Sequence, residues 1–273
     1  FGRQAKALLE NARRSIAQVL NCAPSELIFT SGGTEADNMA LHAAVTQLGV
    51  RRIITSAIEH HAVGHTAEAL KTHEQIEVVY LTLDSKGNID LQELRTYLQD
   101  GVPTIVSLMH ANNEIATLLP LAEVAQLCRQ NGAYFHSDTV QTMGHYTFDL
   151  AALDIDFIAC AAHKFHGPKG VGFAFVRKNS GLQPLLFGGE QEKGLRAGTE
   201  AVHQIAGMAK ALRVSYENLE TEREYISGLK KYLIKQLEIH FSNFRIVGEK
   251  DDFYNIINII LPFSQDKTSM LLF

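Results

Sequence analysis

A regular alternation of short apolar strands and amphipathic helices most limits how this chain can fold. The pattern predicts strands at residues 26–30, 52–56, 76–81, 104–109 and 133–137, and helices at residues 3–20, 36–48, 61–73, 91–99 and 121–131. Strands separated by helices pair in parallel within one sheet. We therefore expect an α/β fold whose large domain has a mainly parallel sheet flanked by helices. In such a sheet, ligands bind at the carboxyl ends of the strands.

The sequence also predicts where this large domain ends. We assign residues 1–210 to the large domain, and residues 211–273 to a linking helix and the start of a smaller α+β domain. A helical pattern runs from Val202 to about Leu237, and two short strands are expected near residues 244–247 and 256–261. The chain begins at Phe1 without a methionine and stops at residue 273 within a helical pattern, so we expect it to be part of a longer protein.

Composition excludes several classes of protein. Of the 273 residues, 46% are hydrophobic and 20% are charged, with a formal net charge of −5, as in an ordinary globular protein. Lys and Arg are scattered along the chain, so we expect no nucleic-acid partner. Neither a long apolar run nor a signal peptide is present. We therefore expect a cytoplasmic protein that makes no contact with a membrane.

Neither a disulfide framework nor a metal site is expected. The three cysteines are far apart and show no CxxC spacing: Cys22, Cys128 and Cys160. His61 and His65 lie one helical turn apart, but two ligands without a third do not make a metal site. We therefore interpret the cysteines as reduced thiols and look for chemistry elsewhere.

A glycine-rich turn follows the first predicted strand. The sequence Ser31-Gly32-Gly33-Thr34 lies between this strand and the next helix. A turn of this kind directs backbone N–H groups and the positive end of a helix dipole at an anion, most often phosphate. Thr34 is expected to cap the helix and to offer a hydroxyl group. The turn lacks the ending of a P-loop, so a nucleotide is not implied, and a plain capped turn remains the alternative.

Lys164 follows a buried apolar strand predicted at residues 157–162. A lysine that is desolvated at a strand end is less basic, and a free amine is what bonds a carbonyl cofactor. The alternative is a lysine whose amine simply reaches water. Three further strand ends carry polar residues, which are Glu59-His60, Asn112-Asn113-Glu114, and His136-Ser137-Asp138 with Gln141.

Pyridoxal phosphate explains this set of residues. The cofactor needs a phosphate site, a lysine for its aldehyde, an acidic partner for its ring nitrogen and a group stacked on its ring. Gly33 and Thr34 would hold the phosphate, and Lys164 would bond the aldehyde. Asp138 would keep the ring nitrogen protonated. The two remaining roles, binding of the ring hydroxyl and stacking on the ring, fall to Gln141 and His60.

The motifs TSGGTEADN, EHHAV, MHANNEIATLLP, HSDTVQ, HKFHGPKGVG and GGEQEKGLRAGTEAVHQIAGMA resemble those of the cysteine desulfurases in the class V aminotransferase group. The resemblance covers residues 1–210 and implies the type I fold of pyridoxal-phosphate transferases. It also implies that Asn113 lies near the ring hydroxyl, that His163 joins Thr34 at the phosphate, and that Thr199 reaches the phosphate of a second subunit. A homodimer follows from the role of Thr199.

The reaction that the resemblance implies is removal of sulfur from L-cysteine, which leaves L-alanine and a protein persulfide. The sulfur would pass to an acceptor protein of iron-sulfur cluster assembly or tRNA thiolation. The family's nucleophilic cysteine and the arginine for the substrate carboxylate are expected beyond residue 273. None of the three cysteines present is expected to replace that nucleophile.

Some features depart from the family pattern. Ala161-Ala162 stands where the family usually has Ser-Gly, so one hydroxyl contact to phosphate is expected to be missing. The alternatives are a selenocysteine lyase or another class V enzyme, and an inactive dimeric scaffold, which the retention of Lys164, Asp138 and His60 argues against. Arg196 could act near the phosphate or pair with Glu190 or Glu192, and the sequence does not decide between these roles.

Overall fold

A computed structural model describes residues 1–241, 243–248 and 252–261. The helices are α1 (Gly2–Val19), α2 (Gly33–Thr46), α3 (His61–Glu74), α4 (Leu91–Leu98), α5 (Leu121–Gln130), α6 (Val202–Glu217) and α7 (Leu219–His240). The strands are β1 (Leu27–Thr30), β2 (Arg52–Thr55), β3 (Glu77–Tyr80), β4 (Thr104–Ser107), β5 (Tyr134–Asp138), β6 (Phe157–Ala161), β7 (Gly172–Val176), β8 (Arg245–Val247) and β9 (Asn258–Ile260). Short 3-10 turns lie at Pro24–Glu26, Ala162–Phe165 and Gln191–Gly194.

The central sheet has seven strands in the order β1-β7-β6-β5-β4-β2-β3. The pairs β2–β3, β2–β4, β4–β5 and β5–β6 are parallel, whereas β7 runs antiparallel to both β1 and β6. The expected α/β fold with a mainly parallel sheet is therefore confirmed. Strand β7 was missed because only the short turn Ala162–Phe165 and a loop separate it from β6, and an antiparallel neighbour needs no crossover helix.

Helices cover both faces of the sheet. Helices α1, α4, α5 and α6 contribute to the hydrophobic core on one face, and α2 and α3 contribute to the core on the other. The strands are apolar without alternation because both of their faces are buried. In α1, Leu8 does not belong to the buried face, since 54% of its surface is exposed. Within the described residues, no helix combines the length and apolar character needed to cross a membrane.

Two short strands follow the last helix, as the sequence predicts. Strands β8 and β9 pair antiparallel in a separate sheet, with Ile246 opposite Ile259. The proposed division of the chain at residue 210 stays a prediction. Helix α6 runs across that position without a break. The helical pattern expected at residues 270–273 lies outside the described residues.

Gly172 holds β7 close to the turn after β1, so we predict a large loss of stability when it is replaced by alanine. An added Cβ would overlap the carbonyl oxygen of Cys160 and lie 2.8 Å from Gly32 Cα. We expect the free energy of unfolding to fall by about 3 kcal/mol, since backbone atoms cannot move aside as a side chain can. Urea unfolding measures this difference.

Gly64→Ala is the matched control for this variant. Gly64 lies inside α3, and an added Cβ would meet no atom within 4 Å. Alanine is favoured over glycine in a helix by about 1 kcal/mol, so the control should be more stable than the wild type. Equal stability of Gly172→Ala and the wild type would contradict the close approach of the two backbones.

Candidate active site

A polar pocket lies at the carboxyl ends of β2, β4, β5 and β6, beside the first turn of α2. The structure brings eight of the nine predicted cofactor residues to its wall: Gly33, Thr34, His60, Asn113, Asp138, Gln141, His163 and Lys164. Asp37, Met109, Val140 and Ala161 complete the lining. The ninth predicted residue, Thr199, lies outside this pocket on the exposed surface. Parallel strands end at one edge of a sheet, which is why residues so distant in sequence meet there.

The glycine-rich turn forms the start of α2. Gly32 precedes the helix with a φ of 152°, and the helix begins at Gly33. The N–H groups of the first turn have no carbonyl partner within the helix, so they remain available to an anion. A Cβ on Gly33 would lie 2.6 Å from Val140 Cγ2, so glycine lets the turn approach the residue after β5. Thr34 does not cap the helix as predicted, because Gly32 occupies that position without a side-chain bond.

His60 stands at the N-terminus of α3, and its exposed ring lines the pocket. The ring atom Nδ1 accepts a hydrogen bond of 3.1 Å from the backbone N–H of Ala62. A neutral imidazole that accepts at Nδ1 carries its hydrogen on Nε2. His60 is thereby held in the form that donates from Nε2.

Asp138 ends β5, and its carboxyl group is buried. Its Oδ1 accepts a hydrogen bond of 2.8 Å from the backbone N–H of Val140. Burial, reinforced by the nearby Asp37 carboxyl group, raises the pKa of Asp138 to about 7. A cation placed beside Asp138 would lower this pKa again, so the site favours a positively charged ring nitrogen.

Asp37 is a pocket residue that the sequence interpretation missed. It lies in α2 one helical turn after Gly33 and is 1% exposed. Its Oδ1 is 3.3 Å from His136 Nε2, without the angle of a hydrogen bond. Burial raises the pKa of Asp37 well above its ordinary value and lowers the pKa of His136 to about 4. The spacing of four residues from Gly33 was the signal that could have found Asp37.

Asp37, His60 and Asp138 could also surround a metal ion. Their potential ligand atoms lie within 4.8 Å of one another. A metal on His60 Nε2 would move the ring hydrogen to Nδ1, where the Ala62 N–H already donates. The set therefore fits a hydrogen-bonding cofactor better than a metal. The stacked rings of His61 and His65 gain no third His, Cys, Asp or Glu within the described part of the chain.

Glu59 joins two strand ends behind the pocket. Its Oε1 accepts hydrogen bonds from Met109 N at 2.9 Å and Ser56 Oγ at 3.0 Å, while Oε2 is buried without a partner. Burial raises the pKa of Glu59 from an ordinary value of 4.5 to about 8. The carboxyl group therefore keeps its proton in the folded protein after the unfolded chain has lost its own. Folding stability must fall as the pH rises through this range.

Glu59→Gln should remove that part of the pH dependence. The amide oxygen can still accept both hydrogen bonds, but the side chain no longer titrates. Between about pH 5 and about pH 8, we expect the free energy of unfolding to fall less steeply with pH in the variant than in the wild type. The difference between the two slopes should reach up to about 1.4 kcal/mol per pH unit, which is the contribution of one titrating group. Urea unfolding of the cofactor-free protein tests this result. Glu123→Gln, at an exposed glutamate of α5, is the control, and equal slopes in all three proteins would contradict the prediction.

Lys164 and His163 lie on the 3-10 turn that follows β6. Both line the pocket, but both side chains are exposed. The sequence interpretation expected a desolvated Lys164 amine, and this is wrong for the protein without ligand because the turn carries Lys164 past the end of the strand. Ala161 also lines the pocket and offers no hydroxyl group there.

Arg196 pairs with neither of the two glutamates proposed for it. Its Nε lies 2.7 Å from Glu35 Oε1, and its Nη2 lies 3.2 Å from Glu35 Oε2. Glu192 instead forms a buried ion pair with Arg13. Arg196 is therefore engaged by a residue of the first turn of α2, next to Thr34.

The three cysteines do not have the character of nucleophiles. Cys128 and Cys160 are buried, and Cys22 is half-buried. Burial raises the pKa of Cys22 to about 12 and raises the pKa values of the other two thiols as well. A reactive cysteine needs a lowered pKa and access to its substrate.

Known proteins share this sequence and fold. The profile of the family described as Aminotransferase class-V matches residues 1–267. The chain is 37% identical over 274 residues to the cysteine desulfurase IscS of Dictyoglomus turgidum, covering 99% of this chain and 69% of that protein. A solved NifS-like protein is similar with a TM-score of 0.92 and 36% identity, covering 98% of this chain and 73% of the other. A solved structure described as SspA in complex with cysteine is similar with a TM-score of 0.84 and 28% identity, covering 99% of this chain and 76% of the other.

These matches include every segment that lines the pocket. The chain spans 69% of the length of some curated relatives and 61% of others. The identity to the desulfurase relatives extends over nearly the whole chain, from the glycine-rich turn to the last helix. The chain belongs to the class-V aminotransferase family and, within it, to the cysteine desulfurases.

Proposed function

We propose that this chain carries the pyridoxal-phosphate site of a cytoplasmic cysteine desulfurase, which removes sulfur from L-cysteine and leaves L-alanine. The observation that carries the proposal is the meeting of eight predicted cofactor residues in one pocket. The desulfurase relatives and the similarity to a structure described in complex with cysteine support the substrate. Neither a selenocysteine lyase nor an inactive scaffold is favoured by any contact in the pocket.

The pocket fits pyridoxal phosphate at both ends. The first turn of α2 offers N–H groups, and Thr34 and His163 line the same wall, which suits the phosphate. At the other end lies the buried carboxyl group of Asp138, whose raised pKa a cation would lower, which suits a protonated ring nitrogen. Asn113 and Gln141 would bind the ring hydroxyl, and His60 would stack on the ring.

When bound, pyridoxal phosphate supplies an electron sink for negative charge at the substrate α-carbon. Lys164 would bond the aldehyde until substrate replaces it, and its freed Nζ would then move the α-proton. Asp138 would hold the proton on the ring nitrogen. His60 would move protons at the sulfur or nitrogen of the substrate as a general acid or base, which requires its Nδ1 to release the Ala62 N–H and take up a hydrogen. Bound cofactor would also cover Lys164, which is exposed without it.

Three parts of the proposal involve groups outside this pocket. The nucleophile that takes the sulfur would come from outside residues 1–273, since burial makes the three present thiols unreactive. The persulfide would then pass its sulfur to an acceptor protein of iron-sulfur cluster assembly or tRNA thiolation. Thr199, exposed and away from its own pocket, would reach the phosphate of a second subunit in a homodimer.

A visible absorption spectrum of the full-length purified protein, before and after addition of L-cysteine, tests the proposal. We expect a band from the lysine-bound cofactor that shifts when cysteine is added. A band that shifts only with a different amino acid would contradict the substrate. The absence of any band after incubation with pyridoxal phosphate would contradict the cofactor and favour the scaffold.

A further inference from the structure

One surface segment contacts the glycine-rich turn from both of its sides. Residues 190–198 lie in the connection between β7 and α6 and contain the 3-10 turn Gln191–Gly194. Two charged side chains of this segment, Glu192 and Arg196, point inward and form ion pairs. Their partners lie before and after the turn Ser31-Gly32-Gly33-Thr34, which we call the phosphate turn.

Glu192 holds the strand side of the phosphate turn, which is the end of β1 that leads into the turn. Its Oε1 accepts a hydrogen bond of 2.7 Å from Arg13 Nη2, and its Oε2 accepts one of 2.9 Å from Arg13 Nη1. The same Oε2 accepts a third hydrogen bond, of 2.9 Å, from the backbone N–H of Phe29 in β1. Arg13 Nη1 also donates to the Leu27 carbonyl at 2.6 Å. Arg13 and Glu192 are both buried, so the pair is shielded from water.

The helix side of the phosphate turn is fixed by Arg196. Its guanidinium group binds both carboxylate oxygens of Glu35, at 2.7 and 3.2 Å. Glu35 directly follows Thr34, and its Oε2 also accepts a hydrogen bond of 2.7 Å from Ser31 N. The side chain of Glu35 therefore joins Ser31, the first residue of the phosphate turn, to Arg196 of the segment at residues 190–198.

The segment itself has an unusual backbone. Glu192 and Lys193 have φ values of 47° and 58°, in the left-handed region that non-glycine residues seldom adopt. Such a conformation persists only where surrounding contacts hold it in place. The bonds from Glu192 to Arg13 and Phe29 provide those contacts. The segment is thus held in one shape, with Glu192 bound to Arg13 and Phe29 before the turn and Arg196 bound to Glu35 after it.

We propose that residues 190–198 form a clamp that positions the phosphate turn, with Glu192 holding its strand side and Arg196 its helix side. This inference rests on the proposed function, since it assigns the turn to the cofactor phosphate. Arg196 acts as a positioning residue through Glu35, and its charge is used in that pair. A turn held before the ligand arrives loses less conformational freedom on binding.

Arg196→Gln tests the clamp when the affinities for pyridoxal phosphate and for pyridoxal are compared. Pyridoxal lacks the phosphate but can occupy the rest of the pocket. The cofactor is removed from the full-length holoenzyme, and each ligand is titrated by equilibrium dialysis. We expect Arg196→Gln to weaken pyridoxal phosphate about tenfold, from the loss of one charge-assisted contact, and to leave pyridoxal unchanged. Arg196→Lys should recover part of the loss.

A double variant separates positioning from simple charge repulsion. In Arg196→Gln, the unpaired carboxylate of Glu35 could repel phosphate. Glu35→Gln/Arg196→Gln removes that charge while leaving the clamp broken, so its affinity for pyridoxal phosphate should stay low. Recovery to the wild-type value would overturn the clamp, as would an unchanged ratio of the two affinities in Arg196→Gln.

Glu192→Gln tests the other half of the clamp, and Arg52→Gln is the control. Glu192→Gln should also lower the affinity for pyridoxal phosphate selectively, and an unchanged ratio in a folded variant would overturn its role. The buried side chain of Arg52 pairs with the exposed carboxylates of Glu77 and Asp100 near the far edge of the sheet, so its loss should lower the melting temperature without changing the ratio. If wild-type protein binds neither ligand, the proposed function has failed, which is a different result from a failure of the clamp.

Discussion

Replacing Lys164 with alanine in the full-length protein is expected to abolish release of sulfur from L-cysteine while pyridoxal phosphate still binds. Lys164 is the only lysine that lines the pocket within the described residues, so no other amine there can bond the aldehyde or move the α-proton. General acid-base catalysis alone contributes about 10² to 10⁴ in rate, and the loss should reach at least about 10³. Sulfide and alanine production measure the rate.

Binding is measured separately in the Lys164→Ala variant. The phosphate turn and Asp138 remain, so the cofactor should be retained, but borohydride should no longer fix it to the protein. Lys169→Ala is the matched control, because Lys169 lies exposed on the same loop and does not line the pocket. Turnover at the wild-type rate in Lys164→Ala would contradict the assignment of this lysine.

Asp138→Asn is expected to give the second-largest loss. The amide oxygen can still accept the hydrogen bond from Val140 N, so the local backbone should persist. The amide cannot carry the negative charge that would keep the ring nitrogen protonated. Removing one such electrostatic group from an active site typically costs about 10² to 10³ in turnover, and we expect a loss of that size. Single-turnover measurements of α-proton exchange test the effect.

Asp138→Asn should also change how the affinity for pyridoxal phosphate depends on pH. In the cofactor-free wild type the pKa of Asp138 is raised to about 7, so its carboxyl group is protonated below that pH and ionised above it. The affinity for pyridoxal phosphate should therefore fall as the pH drops below about 7 in the wild type, and fall less in Asp138→Asn. Identical pH profiles of the two proteins would contradict a charged role for Asp138.

Asp156→Asn is the control for burial alone. Asp156 is also a partly buried carboxyl group with a raised pKa, and it accepts a hydrogen bond of 2.8 Å from Phe135 N. It does not line the pocket. Its replacement should leave turnover and cofactor affinity near the wild-type values. A loss as large as that of Asp138→Asn would indicate that both variants merely disturb the sheet.

Much of the fold could be predicted because local patterns encode it. Apolar runs bounded by glycine and polar residues marked the parallel strands, and amphipathic helices between them implied their direction. Strand β7 was not predicted because no amphipathic helix separates it from β6, and the parallel strands were recognised by such helices. Thr34 was wrongly placed as a helix cap, since the cap lies two residues earlier, at Gly32, and the helix begins at Gly33.

The sequence by itself determined that most of the predicted cofactor residues meet at one pocket. Lys164, Asp138, His60 and the glycine-rich turn each follow a predicted strand, and parallel strands must end at one edge of a sheet. This rule needs no knowledge of distances. Eight predicted residues accordingly line one wall, whereas Thr199, placed by resemblance alone, does not.

Only the tertiary structure decided the state of those residues and what holds them in place. Asp37 is buried beside Asp138 because α2 packs against the sheet, and burial rather than sequence position raises the pKa values of both carboxyl groups. The pairing of Glu192 with Arg13 joins residues 179 positions apart, and that of Arg196 with Glu35 joins residues 161 apart. Charge pairing over such separations depends on how the chain folds in three dimensions, because many acidic and basic residues are equally available to one another in the sequence.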